Sequence, residues 1–226
     1  MRLLTTTLTL AMLAILLISL ASAQTTEKVS VKVVRLAGEV NVLRGGNDEP
    51  EKAELGCLLY AGDTLKVAKD AKAQLFFPPD TLVLLKENSV LKLSELQPDG
   101  RSGVGLTAGS LVANLQKALS PGATFEVETP NALAIVRGTV FEVEIQGEEK
   151  PTTNFYGYEG EVEVHFGEKI LMLGPQVMLE LAVGQAPIIG EHARELSEIL
   201  RMFDAEYWEE RAKDEVKNKI RSRLPF

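Results

Sequence analysis

The chain has 226 residues, a formal net charge of −8 and a single cysteine. One cysteine excludes an intramolecular disulfide and every zinc or Cys-x-x-Cys site that needs several thiolates. The acidic balance argues against nucleic acid and against a hold on an anionic membrane surface.

In chain order, the first 23 residues have the three-part layout of a secretory signal. Met1-Arg2 is a short positive start, "LTLAMLAILLISL" (8–20) is the apolar stretch, and Ala21-Ser22-Ala23 is a small-x-small cleavage site. The expected location is extracytoplasmic, periplasmic or secreted, with no transmembrane span after cleavage. The same stretch kept uncleaved would be long enough to serve as an anchor.

Residues 27–187 read as β almost throughout, because short Val-, Leu- and Phe-rich runs alternate with Gly, Pro, Asn and Asp punctuation. Strands are predicted over 29–36, 39–43, 63–68, 73–77, 81–85, 90–93, 110–115 and 124–128. Five more follow, over 139–145, 153–158, 161–166, 169–173 and 176–181. Pro78-Pro79-Asp80 and Lys86-Glu87-Asn88 each read as hairpin connections. "RGGNDEPEKAE" (44–54) is the longest predicted loop. Regular short strands without helical periodicity predict an all-β domain, an antiparallel sandwich or roll. Val and Phe alternate with Glu in "FEVE" and "FEVEI", which predicts a buried face and a wet face carrying Glu126, Glu128, Glu142 and Glu144. Glu161, Glu163 and His165 read the same way. "AGEVNV" and "EGEVEV" share one device, a glycine turn (Gly38, Gly160) into a strand whose valines face the core.

Residues 190–224 change character. Apolar groups at Ala193, Leu196, Leu200, Phe203 and Tyr207, then Trp208, Ala212, Val216, Ile220 and Leu224, recur at three and four. The spacing predicts one long amphipathic helix with Gly190 as its N-cap, acids early and cations late. Such a helix either packs on the β domain or offers a partner surface. Phe203, Tyr207 and Trp208 are the candidate partner residues, since aromatics often anchor interfaces.

The run "AIVRGTVFEVEI" (134–145) interrupts strand character with Arg137-Gly138-Thr139. Gly138 predicts a bulge or sharp bend. Thr139 can bond locally, and the five donors of Arg137 predict an internal staple, with a ligand-binding arginine as the alternative.

This run, with "LLYAGDTLKVAKDAKAQLFFPPDTLVLLKENSVLKLSEL" (58–96), "LTAGSLVANL" (106–115) and "YEGEVEVHF" (158–166), resembles the FecR domain family over roughly residues 36–185. The motif positions are Gly62, Asp63, Arg137, Gly138, Thr139, Phe141 and Gly160, for which a framework role is expected. The resemblance implies a non-enzymatic extracytoplasmic β domain. In regulatory members that domain relays a signal from an outer-membrane transporter to a cytoplasmic sigma factor. No cytoplasmic segment precedes the apolar stretch here, so direct anti-sigma activity is not expected.

Other chemistry is sparse. His165 and His192 have no serine or cysteine partner at a known motif spacing, and there is no Gly-x-Ser-x-Gly. "GVGLTAG" (103–109) leads into a strand rather than a helix, so it is no dinucleotide loop. No Asp-rich calcium loop is present, and neither a metal nor a cofactor is expected. The leading expectation is a binding or scaffolding module of the cell envelope, sensory in signalling. Its partner would be another envelope protein, or itself through the C-terminal helix. One alternative is a self-associating structural envelope protein. A second is a carbohydrate-active enzyme working from the acidic sheet face.

Overall fold

The computed structural model describes residues 28–45, 47, 49–115, 124–147, 149–206 and 208–209. The predicted signal segment 1–23 and the helix residues Tyr207 and 210–224 lie outside the described residues.

Seventeen strands among the described residues form two ladders. The first comprises β4 (Leu58–Leu59), β1 (Val31–Ala37), β6 (Lys72–Phe77), β7 (Thr81–Leu85), the second half of β9 (Ser102–Leu115), β12 (Val140–Gln146), β13 (Thr152–Glu159), β16 (Val177–Ala182) and β17 (Ile188–Glu191), in that order. The second runs β3 (Pro50–Lys52), β2 (Val40–Leu43), β5 (Thr64–Val67), β8 (Val90–Leu96), the first half of β9, β10 (Phe125–Glu128), β11 (Leu133–Val136), β14 (Val162–Phe166) and β15 (Lys169–Leu173). Every pairing is antiparallel except β9 with β10, which is parallel, so the sheet is mixed rather than purely antiparallel.

All thirteen predicted strands are present, because period-two alternation in β-branched and aromatic runs is a direct record of a half-buried ladder. Val31 and Val33 of the first ladder meet Val40, Val42, Leu65 and Leu91 of the second in one core with Phe77, Phe125, Phe141 and Phe155. Phe77 and Phe125 pack edge to face at 5.2 Å.

The chain keeps switching ladders, and at each switch among the described residues it passes through a left-handed residue, such as Gly38, Gly62, Asp70, Asn88, Gly138 or Gly160. Lys86-Glu87-Asn88 is one of these corners. The expected hairpin there is not formed, because β7 and β8 belong to different ladders and each pairs with β9. The run 44–54 is not all loop, since Pro50–Lys52 pairs with β2. β9 starts eight residues earlier than predicted and serves both ladders, bending at Gly109 (φ 78°). A Cβ there would lie 2.4 Å from Ser89 Oγ, and Ser89 Oγ in turn bonds both the amide (2.9 Å) and the carbonyl (3.0 Å) of Ser110.

The predicted long helix from Gly190 is not formed. Ile188–Glu191 extends the first ladder by pairing with β16, so Gly190 is a strand residue and not an N-cap. Helix α1 covers only Leu196–Arg201. Two carbonyls just beyond it are taken by side chains: the Trp208 indole donates to Met202 O (3.0 Å) and Arg35 to Phe203 O (2.7 Å). The buried stripe keeps the predicted Phe203 and Trp208 but takes Ile199 in place of Leu200. Ile199, Phe203 and Trp208 pack on Leu84, Val112, Val140, Tyr156 and Tyr158, while Leu200 faces outward. The C-terminal segment is therefore a cover on the outer face of the first ladder.

Candidate functional site

The Arg-Gly-Thr run is a corner. β11, which precedes it, pairs in the second ladder, and β12, which follows it, in the first. The glycine is required because the backbone must reverse its twist as it leaves one ladder for the other (φ 58°). Gly160 makes the opposite crossing, from β13 to β14, and sits against this corner. A Cβ on it would fall 2.8 Å from Thr139 Cγ2 and 3.0 Å from Gly138 O. Thr139 is buried, and its carbonyl accepts from the Leu115 amide (2.9 Å). Phe141, the next inward residue, is fully buried in the shared core.

Gly62 and Asp63 build a second corner, between β4 and β5. The buried Asp63 carboxylate accepts from the amides of Gly45 and Tyr60 (3.0 Å each) and from Arg44 (2.9 Å). Burial alone would raise its pKa. The two amides and the Arg44 guanidinium outweigh burial and hold the carboxyl below its ordinary value. Arg44 also reaches Glu51 and the Leu58 carbonyl, and donates to the sulfur of half-buried Cys57 at 3.3 Å.

Arg137 differs from the other motif residues. It is exposed, and among the described residues it forms no hydrogen bond or ion pair, so no internal staple is made to them. The corner closes through backbone and Thr139 packing instead, which leaves the guanidinium facing water.

Sequence reasoning missed the most concentrated polar cluster. Glu142, expected on a wet face, is 1% exposed. It lies in a row across the first ladder, Leu84–Val112–Glu142–Tyr156–Met178, and the C-terminal segment covers that row. Oε1 accepts from Lys86 (2.5 Å) and Ser110 (2.9 Å), and Oε2 from Tyr158 (2.8 Å) and Arg194 (2.7 Å). Burial pushes the carboxyl pKa upward, but Lys86, followed by Arg194 and the Tyr158 hydroxyl, brings it below the usual glutamate value. The Tyr158 hydroxyl is pushed well above its own ordinary value by burial and by this carboxylate. Arg194 stacks on Tyr156 at 4.2 Å and reaches Glu144 at 3.6 Å. The His192 ring edges against Tyr156 and Tyr158 and donates to the Gly157 carbonyl (2.9 Å). A cleft of about 280 Å³ opens beside the cluster, lined by Lys86, Glu144, Arg194 and Glu198 among others.

With four donors on its two oxygens, Glu142 has no lone pair facing an open site, so this carboxylate works as a clasp. Glu142 and Glu163, both expected on the wet, acidic sheet face, lie on different ladders and are not brought together. His165 contacts Glu163 on the second ladder's outer face. Among the described residues, no group of three or more His, Cys, Asp or Glu is placed to hold a metal ion. No helix among them is long and apolar enough to cross a membrane. Of the candidate partner residues, Phe203 and Trp208 are buried against the chain's own sheet, at 7% and 8% exposure, and so are not a free surface.

The fold and site thus define a two-ladder β module held by left-handed corners. Residues 63–163 match the family described as FecR protein. The match is narrower than the expected 36–185 and leaves Gly62 one residue outside. Two solved structures, each described as "a putative anti-sigma factor" from Parabacteroides distasonis ATCC 8503, are similar to this chain. One has 20% identity and a TM-score of 0.51, covering 63% of this chain and 65% of that one. The other has 21% identity and a TM-score of 0.50, covering 57% and 59%. The chain thus spans less than two thirds of either, and at this identity the likeness concerns the fold. No curated protein matches the chain.

Proposed function

We propose that this protein is a non-enzymatic, extracytoplasmic FecR-type binding module, sensory or scaffolding in envelope signalling. The FecR match supports the regulatory class, and the signal-like layout of residues 1–23 supports export. The two ladders wound on one core read as a sandwich-type roll, a rigid frame suited to presenting a surface rather than closing on a substrate.

The observation that carries the reading is Arg137. The other FecR motif residues are built into corners or core, whereas Arg137 is exposed without a partner among the described residues. A planar, permanently charged fork exposed at a closely packed corner is well placed to engage a carboxylate of a partner.

The test is a photo-crosslinking residue in place of Arg137, expressed in the native envelope and analysed by mass spectrometry. A discrete envelope protein should be captured, and Arg137→Glu should abolish its co-purification without lowering the melting temperature. Protease added outside the cytoplasm should reach the protein. Absence of any cross-link, or cytoplasmic fractionation, would sink the reading.

A further inference from the structure

The outer face of the second ladder has no cover among the described residues. Across β15, β14, β11 and β10, one row reads Met172–Glu163–Ile135–Glu126 and the next Ile170–His165–Leu133–Glu128. Aliphatic and acidic side chains alternate along the first row, and in the second His165 takes one of the polar places. Ile170 and Met172 are 59% and 54% exposed, side by side on an edge strand whose free backbone groups are open to a further chain.

The first ladder shows how this protein covers such a face. There too, a carboxylate stands among apolar neighbours, and a short amphipathic segment supplies apolar residues plus an arginine to pair with it. The second ladder requires the same chemistry with more positive charge, because Glu126, Glu128 and Glu163 all lie on it. One stretch of the sequence has that composition. Residues 210–226, "ERAKDEVKNKIRSRLPF", hold six cations against three acids, and apolar groups recur every fourth residue at Ala212, Val216, Ile220 and Leu224. The last ten residues contain four cations and no acid.

The path of the chain decides whose tail it is. The C-terminal segment crosses the first ladder from β17 to β1 and β6, where Arg35 holds the Phe203 carbonyl and Lys72 lies over the Trp208 ring at 5.8 Å. It leaves from the face opposite the exposed rows, and from the end of the first ladder away from β16, the strand that neighbours β15. Held as a helix, seventeen residues span about 25 Å, and the way to their own second ladder leads round both layers.

We infer that residues 210–226 of one copy dock on the β10–β11–β14–β15 face of a second copy, cation to glutamate and aliphatic to aliphatic. This goes beyond the envelope-partner reading, which stands or falls on the residue-137 cross-link, whereas this contact stands or falls on mass in solution.

The test is sedimentation of three full-length chains at low and high salt: wild type, a face variant (Glu126→Lys, Glu128→Lys, Glu163→Lys) and a tail variant (Lys217→Glu, Lys219→Glu, Arg221→Glu). Wild type should associate, at least tenfold more weakly in high salt. Each variant alone should sediment as a single chain. An equimolar mixture of the two should regain association, since each face then meets a tail of opposite charge, a rescue that a misfolded variant could not give. A wild type that stays single throughout, variants with unchanged mass, or a mixture without rescue would each overturn the contact. A tail that cross-links only to its own chain would do the same.

Discussion

The outer faces of the two ladders are written in almost the same alphabet and end in opposite states. On the first, Glu142 lies between Val112 and Tyr156 and is buried under Ile199, Phe203 and Trp208. On the second, Glu163 lies between Met172 and Ile135, is 40% exposed, and has no cover among the described residues. Alternation fixes which way a side chain points. What lies above it depends on a segment elsewhere in the chain, and here that segment makes the difference between a solvated glutamate and a four-donor clasp.

This contrast can be broken by making matched changes on both faces. Ile199→Ala removes buried contacts of the cover and should cost about 2–4 kcal/mol. Chemical denaturation would measure it, and hydrogen exchange should show loss of protection over the outer residues of β12 and β13 first. Glu142→Gln should cost about 1–3 kcal/mol: the carboxylate's charge-assisted bonds are lost, but half-exposed Lys86 and Arg194 can turn to water.

The pH dependence of the second variant sharpens the comparison. The Glu142 pKa is depressed in the folded protein, so its contribution is present above the unfolded glutamate value, about pH 4, and is lost as pH falls through the folded value. The stability gap between wild type and Glu142→Gln should therefore be full near neutrality and close in acid. A gap independent of pH would mean that Glu142 is not ionised in its clasp. The smallest effect belongs to the bare face. Ile170→Ala should change the stability of the isolated chain by no more than about 0.5 kcal/mol, which thermal melts of dilute protein would show.

Much of the frame was legible in the residues. The thirteen predicted strands needed only period two and turn chemistry. The shared role of Gly38 and Gly160 followed from "GEVNV" and "GEVEV", and both turn the chain from one ladder to the other at φ 74°. What was not legible is which neighbour each strand chooses. Lys86-Glu87-Asn88 has the length of a hairpin and is a corner, because pairing with β9 on both sides outweighs local closure. The C-terminal helix was over-extended for a related reason. Apolar spacing of three and four continues through residues 190–203, but Ile188–Glu191 gains ladder bonds that a helix would forfeit. The Glu142 site left one faint trace, an arginine at 194 just ahead of an apolar helical stripe. Its target could not be read without knowing that β12 lies beneath.

β9 carries a further consequence. Its fourteen residues supply backbone partners to both ladders, to β8 and β10 before Gly109 and to β7 and β12 after it. The two layers thus share a spine rather than merely a core. Neither layer can be excised, swapped or unfolded as an independent unit, and a cut in β9 would open both at once. The end of that spine is tied directly to the corner at Arg137 by the Thr139–Leu115 bond.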